Sequence, residues 1–318
     1  MIGRPRVSVA VPLYNEEDGV TELLWRVGAV LDGLPGGPHE IVLVDDGSTD
    51  RTPALLEEAA ARDPRLVVVS LSRNFGHQAA LSAALDYVTG DVTILMDGDL
   101  QDPPELIPDF LARHAEGYDV VYARRTQRKE VWWLRASYFL FYRMMRWLSN
   151  VEVPVDAGDF GLLSRRVVDE LRRAPERQRF LRGLRSWVGF RQLGIPVERS
   201  ERSAGESKYS LRRLLGLAFD GVFAFSIVPI RAAALLGAVA VGLSGLFALY
   251  ALFAKLALHR SPQGFTSLIL VLTFLSGVNL FFLGVVGEYV GRVYEEVKRR
   301  PLYVVSRVIG KSSGPMPV

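Results

Sequence analysis

Residues 92–105 read VTILMDGDLQDPPE, and this stretch decides what kind of domain the chain forms. Its first part, Val92–Met96, has the run of apolar and β-branched residues that predicts a buried strand. Asp97-Gly98-Asp99 then closes the strand, so that two carboxylates can project towards one hard cation such as Mg²⁺ or Mn²⁺. A lone Asp-x-Asp is also common in turns, but the apolar strand before it and the Leu100–Glu105 segment after it favour a binding site.

A short apolar run followed by a longer mixed segment recurs through the first part of the chain. Strands and helices that alternate at this spacing predict an α/β fold, in which a Rossmann-like, mostly parallel sheet carries helices on both faces. The predicted strands are Val7–Val11, Ile41–Val44, Leu66–Val69, Val92–Met96 and Val120–Tyr122, and the predicted helices are Val20–Leu31, Pro53–Ala61, Gln78–Tyr87 and Pro104–His114.

Several polar residues come directly after the predicted strands. Parallel sheets bind ligands at the carboxyl ends of their strands, so these residues are expected to line one crevice. They are Asn15, Asp45, Asp46, Asn74, Asp97 and Asp99. The Asp45–Asp50 segment also fits a turn whose polar side chains cap the next helix, and capping is compatible with a contact to a nucleoside. A predicted helix N-terminus behind Ser72–His77 favours phosphate.

Composition excludes several classes of function. The chain has no cysteine, which excludes disulfides, thiolate catalysis and cysteine metal sites. It lacks the Gly-x-Gly-x-x-Gly fingerprint and the Gly-Lys-Ser/Thr phosphate loop, which argues against dinucleotide oxidoreductases and ordinary ATPases. The net charge is only +3, and arginines cluster near the apolar segments, which favours anionic headgroups or phosphates over nucleic acid as partners. The N-terminus carries no secretory signal, so we expect it to be cytoplasmic.

The later part of the chain predicts a membrane anchor. Ile230–Leu258 and Phe265–Val290 each exceed the roughly 20 residues that cross a bilayer core, and the short link between them predicts a hairpin. The bias of arginine and lysine around the hairpin predicts an inner-membrane, multi-pass protein with both termini in the cytoplasm. A buried helical hairpin of a soluble domain is the alternative.

Aromatic and basic residues alternate in Trp132–Leu148, a pattern that predicts a helix at the membrane interface or a core helix with snorkelling arginines. The predicted organisation follows from these segments. It comprises a catalytic domain over residues 1–210 that includes an interfacial helix at about 131–149, a juxtamembrane amphipathic helix over 211–229, a transmembrane hairpin over 230–292 and a cytoplasmic tail over 293–318.

Four of these motifs together resemble the inverting family 2 glycosyltransferases of the GT-A fold. The motifs are Val9–Glu17, Asp45–Asp50, Arg73–Gly76 and Asp97–Glu105. With the hairpin, the chain resembles the polyprenyl-phosphate branch, which includes bacterial undecaprenyl-phosphate glucosyltransferases and dolichol-phosphate mannose synthase. The resemblance runs from about Val7 to Arg300. It implies transfer of a hexose, with glucose from UDP-glucose as the leading candidate, onto polyprenyl (undecaprenyl) phosphate at the cytoplasmic membrane face. A homo-oligomer and a Mg²⁺ or Mn²⁺ cofactor are implied as well.

The resemblance also assigns roles to residues. Asp159, in Gly158-Asp159-Phe160, is the candidate base, although an anionic lipid phosphate needs orientation more than proton removal. Asp99 is the other catalytic residue, and the metal would be held by Asp97, Asp99 and Gln101. The nucleotide-sugar residues are Pro12, Tyr14, Asn15, Glu16, Asp45, Asp46, Arg73, Asn74, Gly76, Asp97 and Gly98. The acceptor-phosphate residues are Arg124, Arg128, Arg202, Ser207 and Lys208.

The sequence departs from the family pattern at one position and leaves two histidines without a role. Gly161 stands where many relatives have an arginine, and Arg165 or Arg166 could compensate. His77 and His114 are expected to be structural donors rather than metal ligands. The segment Arg199–Tyr209 resembles a loop that closes over phosphate, whereas by composition alone a solvated linker fits it equally well.

Three alternatives remain open at this point. A processive polysaccharide synthase would carry more spanning helices, and Gln178–Arg182 matches its Gln-x-x-Arg-Trp element only loosely. A transferase with another nucleotide-sugar or another lipid acceptor, such as diacylglycerol, fits the same motifs. A membrane scaffold or flippase component without activity would not need the intact Asp97-Gly98-Asp99.

Overall fold

The computed structural model describes residues 5–125, 157–174, 176, 179–197, 228–257 and 264–310. The strands are β1 (Val7–Leu13), β2 (Glu40–Asp45), β3 (Leu66–Leu71), β4 (Val92–Leu95), β5 (Val120–Arg125), β6 (Ala157–Ser164), β7 (Gln192–Val197) and β8 (Val305–Ile309). The helices are α1 (Val20–Asp32), α2 (Thr52–Arg62), α3 (His77–Tyr87), α4 (Ile107–Ala115), α5 (Arg165–Arg173), α6 (Leu181–Trp187), α7 (Val228–Ala257) and α8 (Phe265–Val297). A 3₁₀ turn, Pro104–Leu106, precedes α4.

The described strands form one eight-stranded sheet in the order β7-β5-β6-β4-β1-β2-β3-β8. β1 is parallel to β2 and β4, β2 is parallel to β3, and β5 is parallel to β7. β6 runs antiparallel to both β4 and β5, and β8 runs antiparallel to β3. The predicted mostly parallel α/β sheet is therefore confirmed, and the first five strands all end at the same edge.

Apolar side chains cover both faces of the sheet, because neighbouring residues of a strand point to opposite faces. On one face, α1, α2 and α4 pack against the sheet through residues such as Leu23, Leu56 and Phe110. On the other face, α3, α5 and α6 pack through residues such as Leu81, Val168 and Leu184. The strands β1 to β4 are buried on both faces, which explains why they consist of nearly continuous apolar runs.

The described residues separate into two compact units. The first holds the sheet, its helices and the segment from Arg300 onwards, and the second holds α7 and α8. By length and composition, Phe274–Val297 in α8 qualifies as a candidate membrane span, and Leu235–Phe247 in α7 is a shorter apolar stretch. The two helices begin and end close to the predicted spans, except that α8 continues to Val297.

The segment that follows α8 is the main difference from the sequence-based expectation of a tail over 293–318. β8 pairs with β3 and completes the sheet edge, and the Arg307 side chain forms an ion pair with Glu57. Just before the strand, the buried Tyr303 donates a hydrogen bond from its hydroxyl to Asp86 Oδ2 at 2.6 Å. The last described part of the chain is therefore built into the first unit.

Some predicted elements lie outside the described residues. These are the interfacial helix at about 131–149 and nearly all of the juxtamembrane helix predicted over 211–229, of which the structure describes only the first turn of α7 from Val228. They stay predictions.

Replacing Tyr303 by phenylalanine tests whether its hydrogen bond to Asp86 stabilises the first unit. Loss of the hydroxyl leaves the largely buried Asp86 carboxylate without its described donor, so we expect the free energy of unfolding to fall by about 1–3 kcal/mol. Thermal unfolding of the full chain in detergent, together with hydrogen exchange of the β3 amides, measures the effect. Tyr118→Phe is the matched control, because the Tyr118 hydroxyl makes no hydrogen bond within the described residues. Equal melting temperatures for the two variants would show that the hydrogen bond between Tyr303 and Asp86 does not stabilise the unit.

Candidate functional site

Two loops meet at the carboxyl edge, one after β1 and one after β2. The Asn15 backbone N–H donates to Ser48 Oγ at 3.0 Å, and Asn15 Oδ1 accepts from the Thr49 N–H at 2.8 Å. Asn15 has φ +54°, a left-handed conformation that asparagine tolerates better than most residues. The next residue, Glu16, donates its N–H to Thr52 Oγ1 at 2.9 Å. These contacts fix the loop that carries the exposed Tyr14 ring.

The acids after β2 hold the loop after β3. The Asp46 carboxylate accepts from the Phe75 N–H at 2.7 Å and from the Gly76 N–H at 2.9 Å. Burial raises the Asp46 pKa, and these two hydrogen bonds oppose that shift. Asp45 Oδ1 accepts from the Ser48 N–H at 3.0 Å, as the predicted turn requires. Both acids thus have structural partners, and the nucleoside contact predicted for them stays a prediction.

The loop after β3 carries an exposed cation. The Arg73 guanidinium lies 4.0 Å from the centroid of the Phe75 ring and donates to the Asn74 carbonyl at 2.9 Å. Gly76 follows with φ +97° and leads directly into α3, which begins at His77. The loop therefore places a positive charge and a helix N-terminus at the same edge as the acids, which suits a bound anion.

Asp97-Gly98-Asp99 follows β4 and packs against the end of β1. A Cβ atom on Gly98 would lie 2.4 Å from Leu13 Cδ2 and 3.2 Å from the Pro12 carbonyl oxygen, so a side chain there would have to displace the Leu13 side chain. The next residue, Leu100, has φ +54°, which is uncommon for leucine and marks local strain. The Gln101 N–H donates to Asp99 Oδ1 at 3.1 Å. The motif is thus a tight, constrained turn next to Pro12.

Asp159 reaches this edge from the opposite direction of the chain. It lies near the start of β6, and because β6 is antiparallel to β4, the first residues of β6 lie where β4 ends. His77 bridges the two acids: its Nε2 is 3.5 Å from Asp97 Oδ1 and 3.7 Å from Asp159 Oδ2. The sequence predicted Asp97 and Asp159 as site residues but gave His77 no role in the site. Its position at the first residue of the helix behind Ser72–Gly76 is the signal that could have indicated it.

The two acids have different electrostatic surroundings. Burial raises the Asp97 pKa to about 6, and the charges of Asp159, Asp102 and Asp99 add to that shift while His77 opposes it. Burial also acts to raise the Asp159 pKa, but its interaction with His77 and the charge of Arg182 outweigh burial and lower it. The His77 pKa is raised, mainly by Asp159. Asp159 is therefore ionised at neutral pH, whereas Asp97 lies in an excess of negative charge.

Helix α6 supplies two arginines to the Asp159 side of the site. Arg182 Nε lies 3.2 Å from Asp159 Oδ1. Arg185, one turn later, is 3% exposed and its Nη1 reaches the Gly158 carbonyl at 3.4 Å. The sequence had singled out Arg182 only as part of a loose match to another motif, and it did not indicate Arg185. Neither arginine has a sequence signature, because a short helix brings them to the site from elsewhere in the chain.

The structure explains Gly161 and corrects the expected compensation for it. A Cβ atom at Gly161 would lie 2.4 Å from the Val121 carbonyl oxygen, so the close approach of β5 excludes a side chain there. Arg165 and Arg166 lie at the other end of β6. Arg165 Nη1 donates to the Val88 carbonyl at 3.0 Å, and Arg166 pairs with the buried Asp119. They cannot replace a missing arginine beside Asp159, because they bind groups at the opposite edge of the sheet.

The predicted acceptor-phosphate residues fall into two groups. Arg124 is exposed and lies near the end of β5, where it is paired with Ala157 at the start of β6. It is therefore near the edge that holds Asp159. Arg128, Arg202, Ser207 and Lys208 lie outside the described residues, and their role stays a prediction.

The fit of a divalent cation rests on the donor set. Within the described residues, no group of three or more histidines and acids is arranged to hold a metal ion. Asp97 and Asp99 nevertheless offer the oxygen ligands that Mg²⁺ and Mn²⁺ prefer, and Mg²⁺ is commonly bound by one or two carboxylates together with substrate phosphates. The Asp97 pKa is raised mainly by burial, with neighbouring carboxylates adding to the shift, and a bound cation would favour the ionised form. The residues present therefore fit a metal site that a diphosphate completes.

Comparisons with known proteins agree on one family. Residues 8–172 match the model for "Glycosyl transferase family 2". The chain is 42% identical to the uncharacterized glycosyltransferase YkcC of Bacillus subtilis, over 95% of this chain and 94% of that protein. It is 36% identical to the prophage bactoprenol glucosyl transferase homolog of Escherichia coli, over 95% of this chain and 99% of that protein.

Solved structures resemble the chain more distantly. The mannosyltransferase PcManGT from Pyrobaculum calidifontis, in complex with GDP-Man and Mn²⁺, is 20% identical over 89% of this chain and 88% of that chain, with a TM-score of 0.45. A likeness at this level is too low for the donor or the metal of that protein to be transferred to this one.

Replacing His77 by glutamine tests the bridge between Asp97 and Asp159. Without the positive partner, burial dominates at both carboxylates, so we expect both pKa values to rise. Carbon-13 NMR of aspartate-labelled full-length chain measures the two titrations. His114→Gln is the matched control, because His114 Nδ1 contacts the Tyr118 carbonyl and neither site acid. Unchanged Asp159 titration in His77→Gln would refute the bridge.

Proposed function

The chain belongs to glycosyl transferase family 2, and we propose that it transfers glucose from UDP-glucose to undecaprenyl phosphate with inversion at C1. One observation carries the proposal: an ionised, largely buried Asp159 lies across His77 from Asp97 of the acidic turn, at the carboxyl edge of the sheet, where open α/β sheets bind their ligands. The acceptor is inferred from the relatives named bactoprenol glucosyl transferases, which match nearly the whole chain.

The reaction assigns a task to each part of the site. An oxygen of the lipid phosphate forms the new bond to C1 while the bond from C1 to the UDP oxygen breaks, and UDP leaves with the electron pair. The products are a β-linked lipid phosphate sugar and UDP. Asp159 orients the acceptor, because a phosphate anion needs little proton removal before it attacks. We assign the donor phosphates to Arg73 and the N-terminus of α3, a positive charge and a helix N-terminus at the same edge of the sheet.

Asp97 and Asp99, with Gln101 nearby, would hold the Mg²⁺ or Mn²⁺. When bound, the ion supplies Lewis-acid stabilisation of the charge on the departing diphosphate. The residues themselves prepare this position: the turn packs Gly98 against β1, and burial keeps the Asp97 carboxylate in need of a counter-charge.

A membrane location follows from the same proposal, since the acceptor is a lipid. The chain leaves the first unit after β7 and returns to it at β8, which pairs with β3. The segment between the two strands must therefore cross a bilayer an even number of times if it crosses at all. Phe274–Val297 in α8 is long and apolar enough for one crossing. In the proposed topology α7, which contains the shorter apolar stretch Leu235–Phe247, would supply the second crossing of a hairpin. This supports an inner-membrane protein with the catalytic domain and both termini in the cytoplasm; a homo-oligomer stays a prediction.

Transfer of radiolabelled glucose to purified undecaprenyl phosphate tests the function. We expect label in the lipid with the wild type and a loss of at least about 100-fold in Asp99→Asn, because a neutral amide is a weaker ligand for the cation. Asp109→Asn, an exposed acid of α4, is the matched control and should retain activity. Equal label in wild type and Asp99→Asn would reject the metal assignment, and no label with any nucleotide-sugar would favour the scaffold alternative.

The pH dependence of Mn²⁺ binding tests the role of Asp97. Its carboxyl group holds a proton up to pH about 6, and a proton and a cation compete for it. We therefore expect the apparent Kd for Mn²⁺, measured by electron paramagnetic resonance in the presence of UDP, to rise as the pH falls through 6 and to level off above 7. Asp97→Asn should bind weakly at every pH. A Kd that stays constant from pH 8 to pH 5 would contradict this assignment.

A further inference from the structure

Arg185 is a buried cation whose hydrogen-bonding capacity is largely unused. It is 3% exposed, and its Nη1 makes one long contact of 3.4 Å, to the Gly158 carbonyl. Its Nε and Nη2 atoms are buried and have no hydrogen-bond partner within the described residues. Burial lowers its pKa to about 10, so the group stays charged at neutral pH. Burying a charge with unsatisfied donors is costly unless a ligand pairs with it.

Close packing around Tyr122 defines the surroundings of Arg185. Its guanidinium lies 4.7 Å from the centroid of the Tyr122 ring. The ring has room because residue 194 is glycine: a Cβ atom on Gly194 would lie 2.9 Å from the ring. The Tyr122 backbone has room because residue 161 is glycine: a Cβ atom on Gly161 would lie 2.8 Å from Tyr122 Cα. The two glycines therefore allow the Tyr122 ring to lie against the buried Arg185 guanidinium.

Arg182 extends this site towards the reacting groups. It lies three residues before Arg185 on α6, so the two side chains emerge from neighbouring positions on the helix surface. Its Nε is 3.2 Å from Asp159 Oδ1. The charge of Arg185 acts on the same carboxylate, because it helps to lower the Asp159 pKa. Two guanidinium groups at this spacing suit a tetrahedral oxyanion, because each offers several N–H donors in a planar fork.

We propose that Arg182 and Arg185 form the subsite that binds the phosphate monoester of the acceptor beside Asp159. The inference rests on the proposed function, which requires a phosphate monoester next to Asp159. The two positive charges would offset the repulsion between an incoming phosphate and the carboxylates of the site. They would also satisfy the buried donors of Arg185. The rival occupant with the same chemistry is a phosphate group of the nucleotide-sugar donor.

Kinetics of Arg185→Met separate the two occupants. In the full-length chain we expect the KM for undecaprenyl phosphate to rise at least about tenfold, while the KM for UDP-glucose stays within about twofold. The melting temperature of the variant is measured as well, because the substitution also removes the contact with the Tyr122 ring and the charge that interacts with Asp159. Arg185→Lys keeps the charge but not the planar fork, and should give an intermediate KM.

Arg191→Met is the matched control, because the Arg191 guanidinium lies at the same 4.7 Å from an aromatic ring, that of Tyr118, but is exposed. It should leave both KM values unchanged. A higher KM for UDP-glucose in Arg185→Met with an unchanged lipid KM would move the subsite to the donor. A lower melting temperature or loss of folding, with both KM values unchanged in Arg185→Lys, would reduce Arg185 to a structural role. Either result overturns the proposal.

A binding measurement keeps this test separate from that of the proposed function. Inorganic phosphate should raise the melting temperature of the wild type, compared with sodium chloride at equal ionic strength, and the rise should be lost in Arg185→Met. If phosphate binds in this way but no lipid is glucosylated, the subsite stands and the proposed function fails. If lipid is glucosylated but phosphate has the same effect on both proteins, the subsite fails and the proposed function stands.

Discussion

The antiparallel course of β6 between β4 and β5 is the constraint on which the site depends. Strands that run in one direction bring only their own carboxyl ends together, and β6 adds its first residues to that edge. Asp159 therefore meets Asp97 through His77. Had β6 run parallel to its neighbours, Asp159 would lie on the order of 20 Å away, at the opposite edge of the sheet.

The position of β6 between β4 and β5 also explains the glycine at residue 161 and the source of the positive charge near Asp159. β5 lies so close to β6 that no side chain fits at Gly161, and the positive charge near Asp159 comes instead from α6. As a result, the pKa values of the two acids differ. Burial and neighbouring carboxylates raise the pKa of Asp97, whereas His77 and Arg182 lower the pKa of Asp159. Such a separation suits one acid for a cation and the other for positioning an anionic substrate.

β8 is the last strand of the sheet on the β3 side. It covers the edge of β3, which would otherwise present unpaired backbone groups, and Tyr303 fixes it to Asp86 on α3. Because this strand follows α8, the two long helices form an excursion from the first unit rather than a terminal tail. In the membrane protein proposed above, the first unit would hold both ends of the anchor.

The sequence by itself determined the first five strands, the first four helices, the two long helices and the acidic turn, because continuous apolar runs and acids at strand ends are local signals. It also predicted Asp159 as a site residue, through resemblance rather than pattern. Tertiary structure alone decided that β8 and Tyr303 join the sheet, that β7 forms at its edge, and that His77, Arg182 and Arg185 surround Asp159. Arg165 and Arg166, which the sequence offered as compensation for Gly161, lie at the wrong edge. Long-range strand order and helix docking decide which charges meet, and no local pattern encodes either of them.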